Sequence, residues 1–233
     1  MFDKLRKAFA RDSGPEAVVS SAAPSTDDLG ALGPVSEWAA TQGLTFSGRV
    51  GGASFSLKGN VGGKVWRMEV GRPSRKYVQG EELRGRAELG IDPDVVVLLM
   101  NRPLKAMLEK QAYSMYTDGL QTSVNATLPE EMRWLAVYEE VGWESAPRLF
   151  WERYAVMADN REHALAWLDS ALIRQVLEWP DPAPAPTIPF MLMLLRGKCY
   201  LRMQQGAGDV PTLQHAAHVF TSACESALGS FAQ

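Results

Sequence analysis

Cysteine and histidine are scarce in this chain, which holds two of the first and three of the second among 233 residues. Cys199 and Cys224 lie far apart with no CxxC pair. That excludes a zinc ribbon and a disulfide-stapled fold, and reads as two packed thiols in a reducing compartment. His215 and His218 share an i, i+3 helix face, but no third ligand stands evidently beside them, and His163 next to Glu162 reads as a surface residue. No metal and no cofactor are expected. Long apolar runs are also missing: segments such as Phe190 to Leu195 fall far short of the roughly 20 residues a membrane-spanning helix needs. The N-terminus lacks the apolar core of a secretory leader. The expected location is the cytoplasm.

Catalytic signatures are absent as well. There is no G-x-S-x-G elbow and no S-x-x-K. Gly59-Asn60-Val61-Gly62-Gly63-Lys64 looks like a phosphate loop, yet it is one residue short, Val65 stands where a metal-binding hydroxyl belongs, and no helix follows. It reads as a tight turn between strands. The adjacent pairs Glu81-Glu82, Glu130-Glu131 and Glu139-Glu140 diverge by about 100° if helical, so they form no acid/base dyad. Glu130 and Glu131 fit a helix first turn, where acidic residues match the dipole.

What the chain does have is segregated charge. Residues 44–87 carry 9 basic and 3 acidic groups, residues 88–233 carry 11 and 18, and residues 1–43 carry 4 and 6. A basic, strand-rich part and an acidic, helical part follow from this. Met1 to Ala10 places Phe2, Leu5 and Phe9 on one face among Lys4, Arg6 and Lys7, so residues 1–11 read as a short basic amphipathic helix. It suits docking on a partner or peripheral contact with an anionic membrane at its inner face. Residues 12–33, rich in Ser, Ala, Pro, Gly and Asp, read as a flexible linker.

Order is expected from Pro34, in the first turn of a helix ending at Gly43. Five strand candidates follow in residues 34–122: Leu44 to Val50, Ala53 to Leu57, Lys64 to Val70, Leu83 to Leu89 and Val95 to Met100. Their connections are too short for crossover helices, so the sheet is antiparallel, with Val95 to Met100 buried on both faces. Asn101 reads as the N-cap of a covering helix, closed at Asp118-Gly119. Residues 123–233 read as helical: Thr127 to Val141 behind a capping box, a helix through Phe150, Trp151 and Tyr154, Asn160 to Trp179, Phe190 to Gln204, and Thr212 to Leu228. A proline-rich spacer holding Pro180, Pro182, Pro184, Pro186 and Pro189 interrupts them. The fold class is therefore α+β: an antiparallel sheet of about five strands with a covering helix, followed by a region of antiparallel αα-hairpins.

Within 146–228 the helix pairs resemble tetratricopeptide hairpins. Gly197 and Tyr200 fit the small and aromatic positions of a first helix, and Ala216, Phe220 and Ala223 fit the ladder of a second. Tyr154 with Ala164, Leu168 and Ala171 repeats the pattern upstream. The resemblance implies stacked helix pairs that bind protein partners.

The aromatic band from Trp134 to Trp179 reads as core. The basic stretch is the candidate ligand-binding surface: Arg67, Arg72, Arg75, Lys76, Arg84 and Arg86, with Trp66 and Tyr77 between them. Arginine forks grip oxyanions, whereas an acidic overall balance and the lack of a recognition motif disfavour nucleic acid. The expected function is a non-enzymatic binding or adaptor protein with a protein partner. The alternatives are an enzyme assembled from scattered residues, with Arg84, Arg86 and Glu88 as first suspects, and a structural subunit of a larger assembly.

Overall fold

The computed structural model describes residues 26–48, 54–118, 130–206 and 208–232. Among these, nine strands form one antiparallel sheet: β1 (Thr45–Gly48), β2 (Phe55–Val61), β3 (Lys64–Gly71), β4 (Glu81–Glu88), β5 (Val97–Asn101), β6 (Glu139–Val141), β7 (Tyr154–Ala158), β8 (Phe190–Leu195) and β9 (Lys198–Gln205). Their order is β1-β2-β3-β4-β9-β8-β5-β7-β6. The helices are α1 (Thr26–Thr41), α2 (Arg102–Asp118), α3 (Glu130–Val137), α4 (Arg148–Arg153), α5 (Arg161–Trp167), α6 (Ser170–Leu177) and α7 (Val210–Phe231).

The meander β1 to β4 follows its turn chemistry. Gly62 and Gly63 adopt φ of 55° and 76° between β2 and β3, and Asn60 Oδ1 accepts a hydrogen bond from the Gly63 amide at 3.0 Å. The phosphate-loop lookalike is this turn. β5 is buried at all five positions, flanked by β7 and β8, as its unbroken apolar run requires.

The αα-hairpin region needs correction. Phe190 to Gln204 is not a helix but the β8–β9 hairpin, whose burial alternates along β9. It joins β4 on one side to β5 on the other, so a single sheet crosses the expected division between residues 34–122 and 123–233. Two further helices end early: α3 stops at Val137 before β6, and α4 stops at Arg153 before β7. The expected Asn160 to Trp179 helix is two. Asp169 breaks it by accepting from the Leu172 amide at 2.7 Å as the N-cap of α6. The residues carrying the tetratricopeptide resemblance are thus divided among a hairpin turn (Gly197), strands (Tyr154, Tyr200), the bend after α5 (Leu168) and three helices. At the other end, α1 begins at Thr26, inside the expected linker, with Pro34 in its interior. Leu32, Val35 and Ala39 form its buried stripe, and that burial outweighs proline's penalty. Residues 1–11 lie outside the described residues.

Two cores result. One face of the sheet is covered by α7 with α1, α4, α5 and α6, around Trp66, Phe150, Trp167, Leu201 and Phe220. Trp167 donates its indole N–H to the Ala223 carbonyl at 2.8 Å, fixing α5 to α7. The opposite face is covered only over β5, β7 and β8, where α2 and α3 pack Leu104, Leu108, Met132 and Trp134 onto Leu98, Met100, Met191 and Met193. Among the described residues no helix lies over that face of β1 to β3 or over Arg84, Arg86 and Glu88 of β4, while the Glu82–Arg202 end of β4 and β9 is covered by Glu131 of α3.

Cys199 on β9 and Cys224 on α7 are both fully buried. Burial, then the neighbouring Cys224 thiol, pushes the Cys199 thiol well up from its ordinary range. A thiol reagent is expected to label neither cysteine in the native protein and both once denaturant is added. Rapid native labelling of either would show that α7 lifts from the sheet.

Candidate functional site

The open half of the sheet gains its character from strand alternation. Trp66, Met68 and Val70 of β3 point to the core, so Val65, Arg67 and Glu69 point out. On β4, Arg84, Arg86 and Glu88 share the outward face, and on β9 so do Lys198, Tyr200 and Arg202. The register sets these side chains in two rows across the strands. Lys58, Arg67, Arg86 and Tyr200 stand side by side in one, and Ser56, Glu69, Arg84 and Arg202 in the other.

Two depressions of about 600 Å³ and 530 Å³ lie over these rows and share Arg67, Glu69 and Arg84. The first extends to Arg72, Ser47, Ser54 and Ser56 near the sheet edge. The second extends to Arg86, Glu88, Tyr200 and Arg202, beside the α2–α3 layer. Together they form a groove lined by five arginines and two glutamates. Glu69 pairs with Arg67 at 2.6 Å and with Arg84 at 3.5 Å. Glu88 pairs with Arg86 and, at 3.1 Å, with Lys198. These hydrogen bonds hold the Glu88 carboxyl below its ordinary range, Arg86 first and Lys198 second. Arg72 has no carboxylate partner among the described residues, and the buried Nε of Arg84 has no hydrogen-bond acceptor. The exposed Arg72 fork is therefore the guanidinium in the groove that an incoming oxyanion meets without a competing carboxylate.

Of the residues expected from sequence, Arg67, Arg72, Arg84 and Arg86 come together here. Arg75 does not. Its Nε bonds Glu131, a fully buried carboxylate at the start of α3. Glu131 also holds Arg202 and accepts from Tyr77 at 3.3 Å. Arg202 in turn lies 2.8 Å from Glu82, likewise fully buried and bonded by Ser74. Burial, with the Glu131 charge second, pushes Tyr77 up to about 12. This network ties α3 to the sheet beside the groove, and Arg75 is part of it. Lys76 is exposed and outside the lining residues. Phe2, Leu5 and Phe9 lie outside the described residues.

Tyr200, Arg202, Glu82 and Glu131 were missed by sequence reasoning. The signal for the first two was the alternation Lys198, Tyr200, Arg202, hidden once the segment was read as helix. His215 and His218 both turn to Gln175: His215 Nε2 donates to its carbonyl at 2.8 Å, and His218 Nε2 meets its side-chain amide at 3.1 Å. Burial pushes His215 below its ordinary pKa. Among the described residues no three of His, Cys, Asp or Glu gather as metal ligands, and no helix is long and apolar enough to cross a membrane.

No protein-family model matches the chain, and no curated protein matches it. Among solved structures, the chain is similar to the crystal structure of the mycobacterial trehalose monomycolate transport factor A, TtfA, at a TM-score of 0.41 and 12% identity, over 84% of this chain and 96% of that one.

Proposed function

We propose that the protein is a non-enzymatic binding module whose partner is an acidic protein segment laid across the open half of the sheet. The observation that carries this reading is the groove itself, in which five arginines outnumber two glutamates on a face that, among the described residues, is largely uncovered. Arg202 is neutralised by Glu82 and Glu131, which leaves four guanidiniums against Glu69 and Glu88. Planar forks in rows suit carboxylates, which they bind bidentately. From β1 to β9 the face is about 19 Å wide at ordinary strand spacing, enough for a short extended peptide. Glu88, on the face suspected of catalysis, is held ionised by its neighbours and is unsuited to donate a proton near neutral pH.

Fluorescence anisotropy with a labelled oligoglutamate peptide provides the test. The full chain is expected to bind, more weakly as salt rises. Replacing Arg67, Arg72 and Arg86 together by Glu is expected to weaken binding by more than about tenfold. The melt should hardly move, because exposed ion pairs contribute at most about 1 kcal/mol each. Equal binding by the triple variant would remove the groove from the function.

A further inference from the structure

On the covered face of the sheet, away from the groove, a cavity of about 220 Å³ sits beneath the proline-rich strap. Its walls are aromatic. Tyr154 and Trp179 both meet the Phe190 ring edge-on, at 5.8 Å and 5.7 Å, and Met203 also lines it. These walls are fixed, since the Tyr154 hydroxyl and the Trp179 indole N–H both donate to the Val176 carbonyl, at 2.7 Å and 2.9 Å. The strap is fixed too. The buried Asn101 amide donates to the Pro186 and Ile188 carbonyls at 2.8 Å and 2.9 Å, while its oxygen accepts from the Phe190 amide at 3.1 Å. The cavity is therefore preformed and needs no folding-over to receive a guest.

Its charge is one-sided. Arg153 is the lining residue that carries a charge, and it has no carboxylate partner among the described residues. Its Nη1 makes a 3.3 Å bond to the Leu177 carbonyl, leaving other donors of the fork free. An aromatic box alone would favour a cation. A guanidinium at the rim with no lining carboxylate repels one and offers a fork to an anion.

We infer that this cavity binds a small planar carboxylate, its ring packed against the cavity-lining sides of Trp179 and Phe190 and its carboxylate on Arg153. The probe is 4-fluorobenzoate, followed by fluorine NMR line broadening on the full chain, with 4-fluorobenzylamine as the cationic counterpart. Broadening of the acid that excess benzoate reverses, and none of the amine, is expected. Arg153→Gln should weaken acid binding by about tenfold or more, as loss of a charge-assisted hydrogen bond does. Arg174→Gln, at an exposed position of α6, should leave it unchanged. Absence of reversible broadening, equal binding of the amine, or an equal loss in Arg174→Gln would overturn the assignment. The acid–amine comparison uses the unaltered chain and stands whatever the variants do to folding.

Discussion

Replacing Glu131 by Ala is expected to lower the melting temperature on the order of 10 °C. Glu131 is fully buried and faces Arg75, Arg202 and Tyr77. Removing one partner of a buried ion pair costs about 3–5 kcal/mol, because the other charge is left without compensation. Each kcal/mol shifts the midpoint of a chain this size by about 2–4 °C. Arg75→Ala should cost less, since Arg202 still faces Glu131, and the double variant should cost less than the two single changes together. The pH dependence adds a separate sign. Burial acts to raise the Glu131 pKa, but hydrogen bonds from Arg75 and the backbone and the charges of Arg75 and Arg202 outweigh it, so the folded value is lowered. Its contribution is thus complete above the ordinary glutamate value of about 4.3 and fades as pH falls toward the lower folded value. Thermal melts between pH 7 and pH 3 should show the unaltered chain losing stability in that window more steeply than Glu131→Ala. Parallel curves would remove Glu131 from the clasp between α3 and the sheet.

The same network shows why the site was only half legible. Arg67, Arg84 and Arg86 are readable because strand alternation is clear over residues 64–70 and 83–89, and alternation alone puts them on one face. Arg75 sits in the loop between β3 and β4, where no period assigns direction, and its partner Glu131 is 56 residues away. Glu131 looked like a helix first-turn acid, which it is; nothing local says that it is also a counter-ion. The larger miss, Phe190 to Gln204, has a physical cause. Phe, Met and Leu fill helices and buried strands alike, and a run of six apolar residues has no period to decide between them. Val95 to Met100 reads as strand because it is a short apolar run set off by the Asp92-Pro93 turn signal, and β5 begins within it at Val97. What separated the two cases was the turn. Arg196-Gly197 has φ of 54° and 72°, the two-residue hairpin conformation, but arginine is not a residue that announces it.

That turn carries the second large expectation: Gly197→Ala should destabilise the chain by about 3 kcal/mol, a shift of about 6–12 °C, while Arg196→Asn should be close to neutral. At Gly197 two effects add. A left-handed residue with a Cβ costs about 1–2 kcal/mol, and here that Cβ would stand 2.8 Å from the Ile91 carbonyl oxygen, a backbone atom that cannot swing aside. The contact matters because the Gly197 carbonyl accepts from both the Leu89 and Gly90 amides, at 3.2 Å and 3.0 Å, so the turn is fastened to the end of β4. Moving it disturbs the hairpin that pairs β9 with β4 and β8 with β5, the link between the two halves of the sheet. Arg196 is the contrasting case. Its left-handed backbone is already tolerated with a side chain, asparagine adopts that region readily, and the pair it would lose with Glu130 is on the surface. Thermal melts of the two variants should therefore diverge at adjacent positions. A Gly197→Ala chain that melts with the unaltered protein would mean that the turn can shift away from Ile91 without loosening the hairpin, and the β8–β9 pair would then not be the link on which the sheet depends.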